Sequence, residues 1–266
     1  MKKNRIPIRF TGQHFTIDNL LIADAVNLVK IKNDDTVLDI GAGKGIITTH
    51  LFKRCNKVYA VENDKYLAKY LKQKFIDHES VEIINQDFRN FKAPKVNFKV
   101  VANIPYFLTS NILKYLMYDN MEYFDSASLI MQFEPASKLT VNCTSDPFKL
   151  FYRTFYDFQI IYEISPSSFT PPPKVRSALL GIIRKKNCHI GVEMKERYLR
   201  YLCFLIRNPS SNALTVLKTI FRKSQARQVI EKLGIKGDIK ISELSAKEIA
   251  TCFQQMILKV PDRFHP

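Results

Sequence analysis

Residues 103–106 read Asn-Ile-Pro-Tyr, directly after the apolar run Val100–Ala102. The four positions bring together an amide, a backbone with one fixed dihedral and a flat ring, with no acid, base or thiol among them. Such a set can activate a poor nucleophile by holding it. The exocyclic amine of adenine is one, because its lone pair is delocalised into the ring. It attacks better when acceptors hold its hydrogens and favour a tetrahedral nitrogen. The Asn103 side-chain oxygen and the Ile104 carbonyl are such acceptors, and Pro105 fixes the turn that aims the carbonyl. Tyr106 offers a face on which a flipped-out base stacks. Attack on a sulfonium methyl can precede loss of the proton, so catalysis would rest on position and polarisation. The chemistry this turn suggests is methylation of a base amino group.

Three further features point to the same crevice. Gly41, Gly43 and Gly45 follow the short β-branched run Thr36–Ile40 and precede a helical pattern, where glycines allow a tight turn and close approach to a ligand. A plain strand–helix turn would carry the same glycines, and the spacing is neither that of dinucleotide sites nor that of a phosphate-binding P-loop. Glu62 stands at the end of the next apolar run, about twenty residues on, where a carboxylate can accept from ribose hydroxyls. Asp87 follows the third, where it can accept from an adenine amino group. Together in strand order they predict an adenosine-containing ligand. Phe169, before Pro171-Pro172-Pro173, could supply the second face of a base clamp, or else be a core ring. Lys218, Arg222, Lys223 and Arg227 recur at near-helical spacing, which predicts one basic face for phosphates, or a solvated one.

The elements that must hold these residues alternate. Strands are expected at 36–40, 57–61, 81–87, 98–103 and 126–133, with helices between them, which predicts an α/β fold with a parallel sheet. A first helix should start near Thr16 or Asp18. Strands at 154–164 and 177–185 have only a proline-rich connector between them, so they should pair antiparallel and close the sheet edge. After Lys186 the chain reads as all-helical. The predicted domains are 1–185, carrying the chemistry, and 186–266, helical and basic.

The chain of 266 residues carries a formal charge of +16, and residues 178–266 hold 17 Lys/Arg against 7 Asp/Glu. No acid occurs between Glu196 and Glu231. This placement predicts a nucleic-acid partner. The five cysteines are scattered and no histidine lies at ligand spacing, so neither a metal site nor a disulfide framework is expected. No apolar run is long enough to span a membrane and the N-terminus lacks a signal-peptide pattern, which predicts a cytoplasmic protein.

The segments RFTGQHF, VLDIGAGKG, VEND, INQDFRNF, NIPY and FTPPPKVRSAL, with IFRKSQ and VPDRFHP near the end, resemble the ribosomal RNA adenine N6-dimethyltransferase family nearly end to end. The wording GQHF and FRNF resembles its Erm branch, the 23S rRNA methyltransferases of macrolide–lincosamide–streptogramin B resistance. The resemblance implies a Rossmann-like class I methyltransferase sheet with a small C-terminal helical domain that helps to bind RNA. It implies S-adenosylmethionine as cofactor, a single adenine in a single-stranded or hairpin region of 23S rRNA as target, and a monomer. His14 and Thr16 would lie at the methionine end of the cofactor, Gly41 along its backbone, Glu62 at the ribose, Asp87 at the adenine and Asn103 near the methyl group. The wider family usually has Gln-Asn-Phe where this chain has Gln13-His14-Phe15, so a neutral imidazole, able to donate one hydrogen bond, stands in place of an amide.

Three other readings compete. A housekeeping enzyme that dimethylates small-subunit rRNA would share every motif above. A non-catalytic RNA-binding factor on the same fold would not need the intact Asn-Ile-Pro-Tyr, Glu62 and Asp87. A DNA adenine methyltransferase would carry an acidic-Pro-Pro-aromatic motif instead.

Overall fold

The computed structural model describes residues 15–141, 146–188 and 190–266; His14 lies outside the described residues. Among the described residues nine strands are assigned: β1 (Phe15–Thr16), β2 (Thr36–Ile40), β3 (Lys57–Glu62), β4 (Val81–Asn85), β5 (Phe98–Asn103), β6 (Phe124–Gln132), β7 (Tyr156–Ile164), β8 (Phe169–Thr170) and β9 (Ser177–Arg184). Seven form one sheet in the order β4-β3-β2-β5-β6-β9-β7, and β1 pairs antiparallel with β8. β2 runs parallel to both β3 and β5, and β3 parallel to β4. The chain therefore starts mid-sheet at β2, moves out to β4, and returns on the other side at β5. That reversal opens a crevice beyond the carboxyl ends of β2 and β5, the usual ligand position in open α/β sheets. The late strand pair closes the sheet edge as expected, with β7 outermost. β9 inserts between β6 and β7, and the Lys185 amide donates to the Phe155 carbonyl at 2.9 Å, so the end of one strand meets the start of the other.

The helices that lock the crevice follow from local sequence. α1 (Asn19–Leu28) is capped by Asp18, whose carboxylate accepts from the Leu20 and Leu21 amides. Its buried Leu21, Ile22, Ala25 and Val26 join Ile47 and Leu51 of α2 (Ile46–Leu51) against Val37, Val58 and Val101 of the sheet. α3 (Lys65–Lys74), capped by Asp64, sets Leu71 with the following Phe75 against Ala42 and Ala60. α4 (Thr109–Lys114) continues as a π-turn over Tyr115–Asp119, and α5 spans Phe133–Thr140.

Two compact units emerge, each from three chain segments. The first takes Met1–Ile112, Asp125–Ala136 and Ile160–Gly181; the second takes Leu113–Phe124, Ser137–Gln159 and Ile182–Pro266. The second unit's helices are thus not all C-terminal. α6 (Pro147–Phe155), capped by Asp146, packs with α7 (Lys195–Leu205) and α10 (Ala246–Lys259), and α10 packs with α9 (Lys223–Leu233). The packing between these helices is aromatic: the ring centres of Phe155 and Tyr198 lie 5.9 Å apart, and those of Tyr198 and Phe253 5.0 Å. The Tyr198 hydroxyl meets the Thr154 hydroxyl at 2.8 Å, which satisfies a fully buried phenol. α8 (Ala213–Leu217) completes the set.

Candidate active site

The pocket lies where the glycine loop meets the Asn103–Tyr106 turn. Gly41, Gly43 and Gly45 have φ of +75°, +57° and +70°, a region that side-chain-bearing residues rarely adopt. A Cβ on Gly41 would sit 3.1 Å from Cδ of Pro105, and one on Gly43 would sit 3.0 Å from the Phe15 ring. The two motifs read separately in the sequence are thus in contact, and the first two glycines keep the crevice open. Its lining includes Phe15, Thr16, Asp39, Glu62, Asp87, Asn103 and Tyr106.

One side of the pocket is acidic. Glu62, 2% exposed, accepts from the Gly43 amide on one carboxylate oxygen and from the Asp64 amide on the other, each at 2.8 Å. Each oxygen keeps a further lone pair for a ligand hydroxyl. Burial raises the Glu62 pKa, and the two backbone donors oppose that rise. Asp87 is held by its neighbour: one carboxylate oxygen accepts from the Arg89 amide at 2.9 Å and from Nε at 3.0 Å, the other from the guanidinium at 2.6 Å. The Arg89 bonds push Asp87 down to about 2. Its second oxygen retains one acceptor site, which matches one N–H of an adenine amino group.

Asp39 was not singled out by sequence reasoning, and the signal was there: an acid inside the apolar strand Thr36–Ile40. It is 1% exposed, accepts from the Thr48 hydroxyl at 2.6 Å, and is pushed up to about 7, chiefly by burial. No ion pair among the described residues involves Asp39 or Glu62. Two buried carboxylates without a cationic partner in one pocket fit a ligand that brings positive charge and ribose hydroxyls, as S-adenosylmethionine does.

The other side carries no titratable group except a phenol. The Asn103 side-chain nitrogen donates to the Thr16 hydroxyl at 3.1 Å, which makes the amide oxygen the acceptor end. Ile104 is buried and its amide donates to the Ile130 carbonyl of β6, while no described donor takes its own carbonyl. The Leu108 amide closes the turn onto the Pro105 carbonyl at 2.9 Å. Tyr106 is half-buried, with its hydroxyl 2.6 Å from the Ser177 hydroxyl, and burial raises its pKa. The exposed ring on this side is Phe107, 73% exposed.

Two expectations meet a different arrangement. Phe169 does not line the pocket; it is 2% exposed within the cluster of Leu21, Ile22 and Leu179. As β8 it pairs with β1, Thr16 opposite Phe169, and the Ile17 amide donates to the Ser168 carbonyl at 2.9 Å. The segment before the prolines thus fixes Thr16 through its backbone and turns the Phe169 ring into the core. The four cations do not share one helix face. α8 stops at Leu217, Lys218 is its C-cap, Arg222 is the N-cap of α9, and only Lys223 and Arg227 lie on that helix. Ile220 and Phe221 turn inward and break the helix between them. All four cations are exposed.

A family profile described as "Ribosomal RNA adenine dimethylase" matches residues 4–258. An rRNA adenine N-6-methyltransferase of Bacteroides fragilis is 47% identical over 266 residues, all of both chains. A ribosomal RNA small subunit methyltransferase A of Mycoplasmopsis synoviae is 34% identical over 248 residues, 91% of this chain and 94% of its own. Among solved structures, the 23S rRNA methyltransferase ErmE superposes with a TM-score of 0.78 at 23% identity, over 91% of this chain and 99% of that one, a likeness of fold. The sheet is that of a Rossmann-like class I methyltransferase. The chain belongs to the ribosomal RNA adenine dimethylase family, as an rRNA adenine N6-methyltransferase that uses S-adenosylmethionine.

Proposed function

We propose that this enzyme methylates N6 of a specific adenine in 23S rRNA and so confers macrolide–lincosamide–streptogramin B resistance. The observation that carries the chemistry is the Asn103–Tyr106 turn seated against the glycine loop. When bound, the cofactor supplies an electrophilic methyl on a positively charged sulfur. Glu62 would accept from its ribose, Asp87 from its adenine amine, and Gly41 and Gly43 would leave room for its backbone; Thr16 and His14 would serve its methionine end. The target adenine leaves its stack and lies on Tyr106. The Asn103 amide oxygen and the Ile104 carbonyl accept from its N6 hydrogens, which favours a tetrahedral nitrogen with its lone pair aimed at the methyl. The new N6–methyl bond would form as the methyl's bond to sulfur breaks and leaves a neutral thioether; the nitrogen would keep its protons during attack and release one to water afterwards, so no side-chain base is required. Lys218, Arg222, Lys223 and Arg227 contact RNA phosphates from two helix ends and the turn between them. Neutralising all four should lower the salt-dependence slope of RNA binding by nearly one per lost contact.

The choice of 23S over small-subunit rRNA is supported by the GQHF and FRNF wording, which resembles the Erm branch. Methylation of separate 23S and 16S transcripts, with the modified adenine mapped, tests it. The expected result is a single N6-methylated adenine in 23S rRNA and a raised macrolide tolerance of cells that express the chain. Methylation of 16S alone would assign the housekeeping role instead.

A further inference from the structure

We propose that Phe107 is a second RNA-contact ring, which stacks on the base beside the target once the target has left the helix. The proposal rests on the pocket holding the cofactor and the flipped adenine, as above. Among the described residues that line the pocket, Phe107 is the one exposed large apolar side chain. Leaving a phenylalanine in water forgoes a substantial burial gain, and nothing local makes its exposure a loose end. It sits in the single helical turn Tyr106–Leu108, with Leu108 buried behind it. The Leu108 amide is bonded to Pro105, and the Thr109 hydroxyl donates to the Tyr106 carbonyl at 2.8 Å. The ring is therefore presented on a fixed backbone at the pocket rim.

Its neighbours cannot take that role. Tyr106 is half-buried and tethered to Ser177, and Phe169 is in the core. Flipping one base leaves the next without a stacking partner, and that loss is part of the cost of extrusion. An exposed aromatic on the rim recovers it, without base selectivity, since every base has a π-face. A chain with formal charge +16 holds RNA by phosphates elsewhere, so the rim can spend a ring on a base.

The test uses the full-length enzyme with Phe107→Ala, Phe107→Leu and Phe107→Trp. RNA affinity is read by filter binding and KM on 23S and 16S transcripts, then on a hairpin of whichever one is modified. S-adenosylmethionine affinity is read separately by calorimetry. Phe107→Ala should weaken RNA binding and raise KM for RNA about tenfold, within the range of base–aromatic stacking. Phe107→Trp should restore both, and Phe107→Leu should not. Cofactor affinity should stay at the wild-type value in all three. Replacing one of the two flanking nucleotides by an abasic residue should abolish the difference between wild type and Phe107→Ala. If Phe107→Leu matches wild type, or the difference survives abasic substitution at both flanks, the ring does not stack on a neighbouring base. A loss of cofactor affinity would move Phe107 into the cofactor site and overturn the proposal. An error in the 23S assignment changes only which transcript responds.

Discussion

The two sides of the pocket are built from opposite materials. Asp39, Glu62 and Asp87 line one with carboxylates whose pKa values the fold shifts in both directions. Asn103, Ile104 and Pro105 give the other a side-chain amide, a carbonyl and a rigid ring, with Tyr106 as its only titratable group. On the proposed function, that difference separates binding from chemistry. The acidic side would meet a charged, hydroxyl-rich ligand, while the amide side would hold a neutral amine in one geometry. Variants on the first side should act on cofactor affinity, and variants on the second on the chemical step.

The largest effect is expected from Asn103→Ala. It removes an acceptor that matters most as N6 becomes tetrahedral, and single-turnover methyl transfer at saturating cofactor should fall by about 10²-fold, in the manner of a lost transition-state hydrogen bond. Cofactor affinity should change little. A wild-type rate in this variant would break the comparison at its centre. Tyr106→Ala should slow the same step by roughly one to two orders of magnitude, from lost base stacking.

Glu62→Ala should do the reverse, leaving the rate at saturating cofactor near wild type. Cofactor affinity should fall about tenfold or more, since a hydrogen bond to a charged group is worth roughly 1.5–3 kcal/mol. Calorimetry on a variant that keeps its circular dichroism spectrum checks this.

Asp39 sharpens the acidic side by pH. Its folded pKa is raised to about 7 from 3.8, so between those values the folded chain binds more protons than the unfolded one. Apo-enzyme stability should therefore fall as pH rises through that window and level off above about 7. A cationic ligand reverses the preference, so cofactor affinity should rise with pH across the same range. Asp39→Asn should flatten both profiles. Thermal melts and titrations from acid to neutral pH read both.

How much of this was legible in the sequence depended on whether a signal was local. Asp18, beside Thr16, was one of two candidate starts of the first helix and proved to be its cap, and Thr36–Ile40 announced a strand by its branched residues. Gly41, Glu62, Asp87 and Asn103 could be read because each ends or follows a strand, and parallel strands bring such ends together. What stayed hidden was either masked by a competing local signal or needed tertiary information. α6 is rich in aromatic residues that favour strands, and the Asp146-Pro147 start was the overlooked cue. The break between Lys218 and Arg222 comes from Ile220 and Phe221 finding a core, which no spacing rule contains. Phe169 turned inward because its backbone pairs with Thr16, a partner more than a hundred residues away.

The smallest expected effect is that of Tyr106→Phe. It loses the bond to Ser177 but keeps the ring, so most activity should remain. This bears on the central claim, that the amine is activated by position without a side-chain base. The most direct measurement is the pH dependence of single-turnover methyl transfer at saturating cofactor, for wild type and Tyr106→Phe. The account predicts a level rate from about pH 6 to 9 in both, because no group that titrates there takes a proton in the rate-limiting step. A rate that climbs tenfold per pH unit in wild type and loses that slope in Tyr106→Phe would make the phenol a general base, and would contradict it.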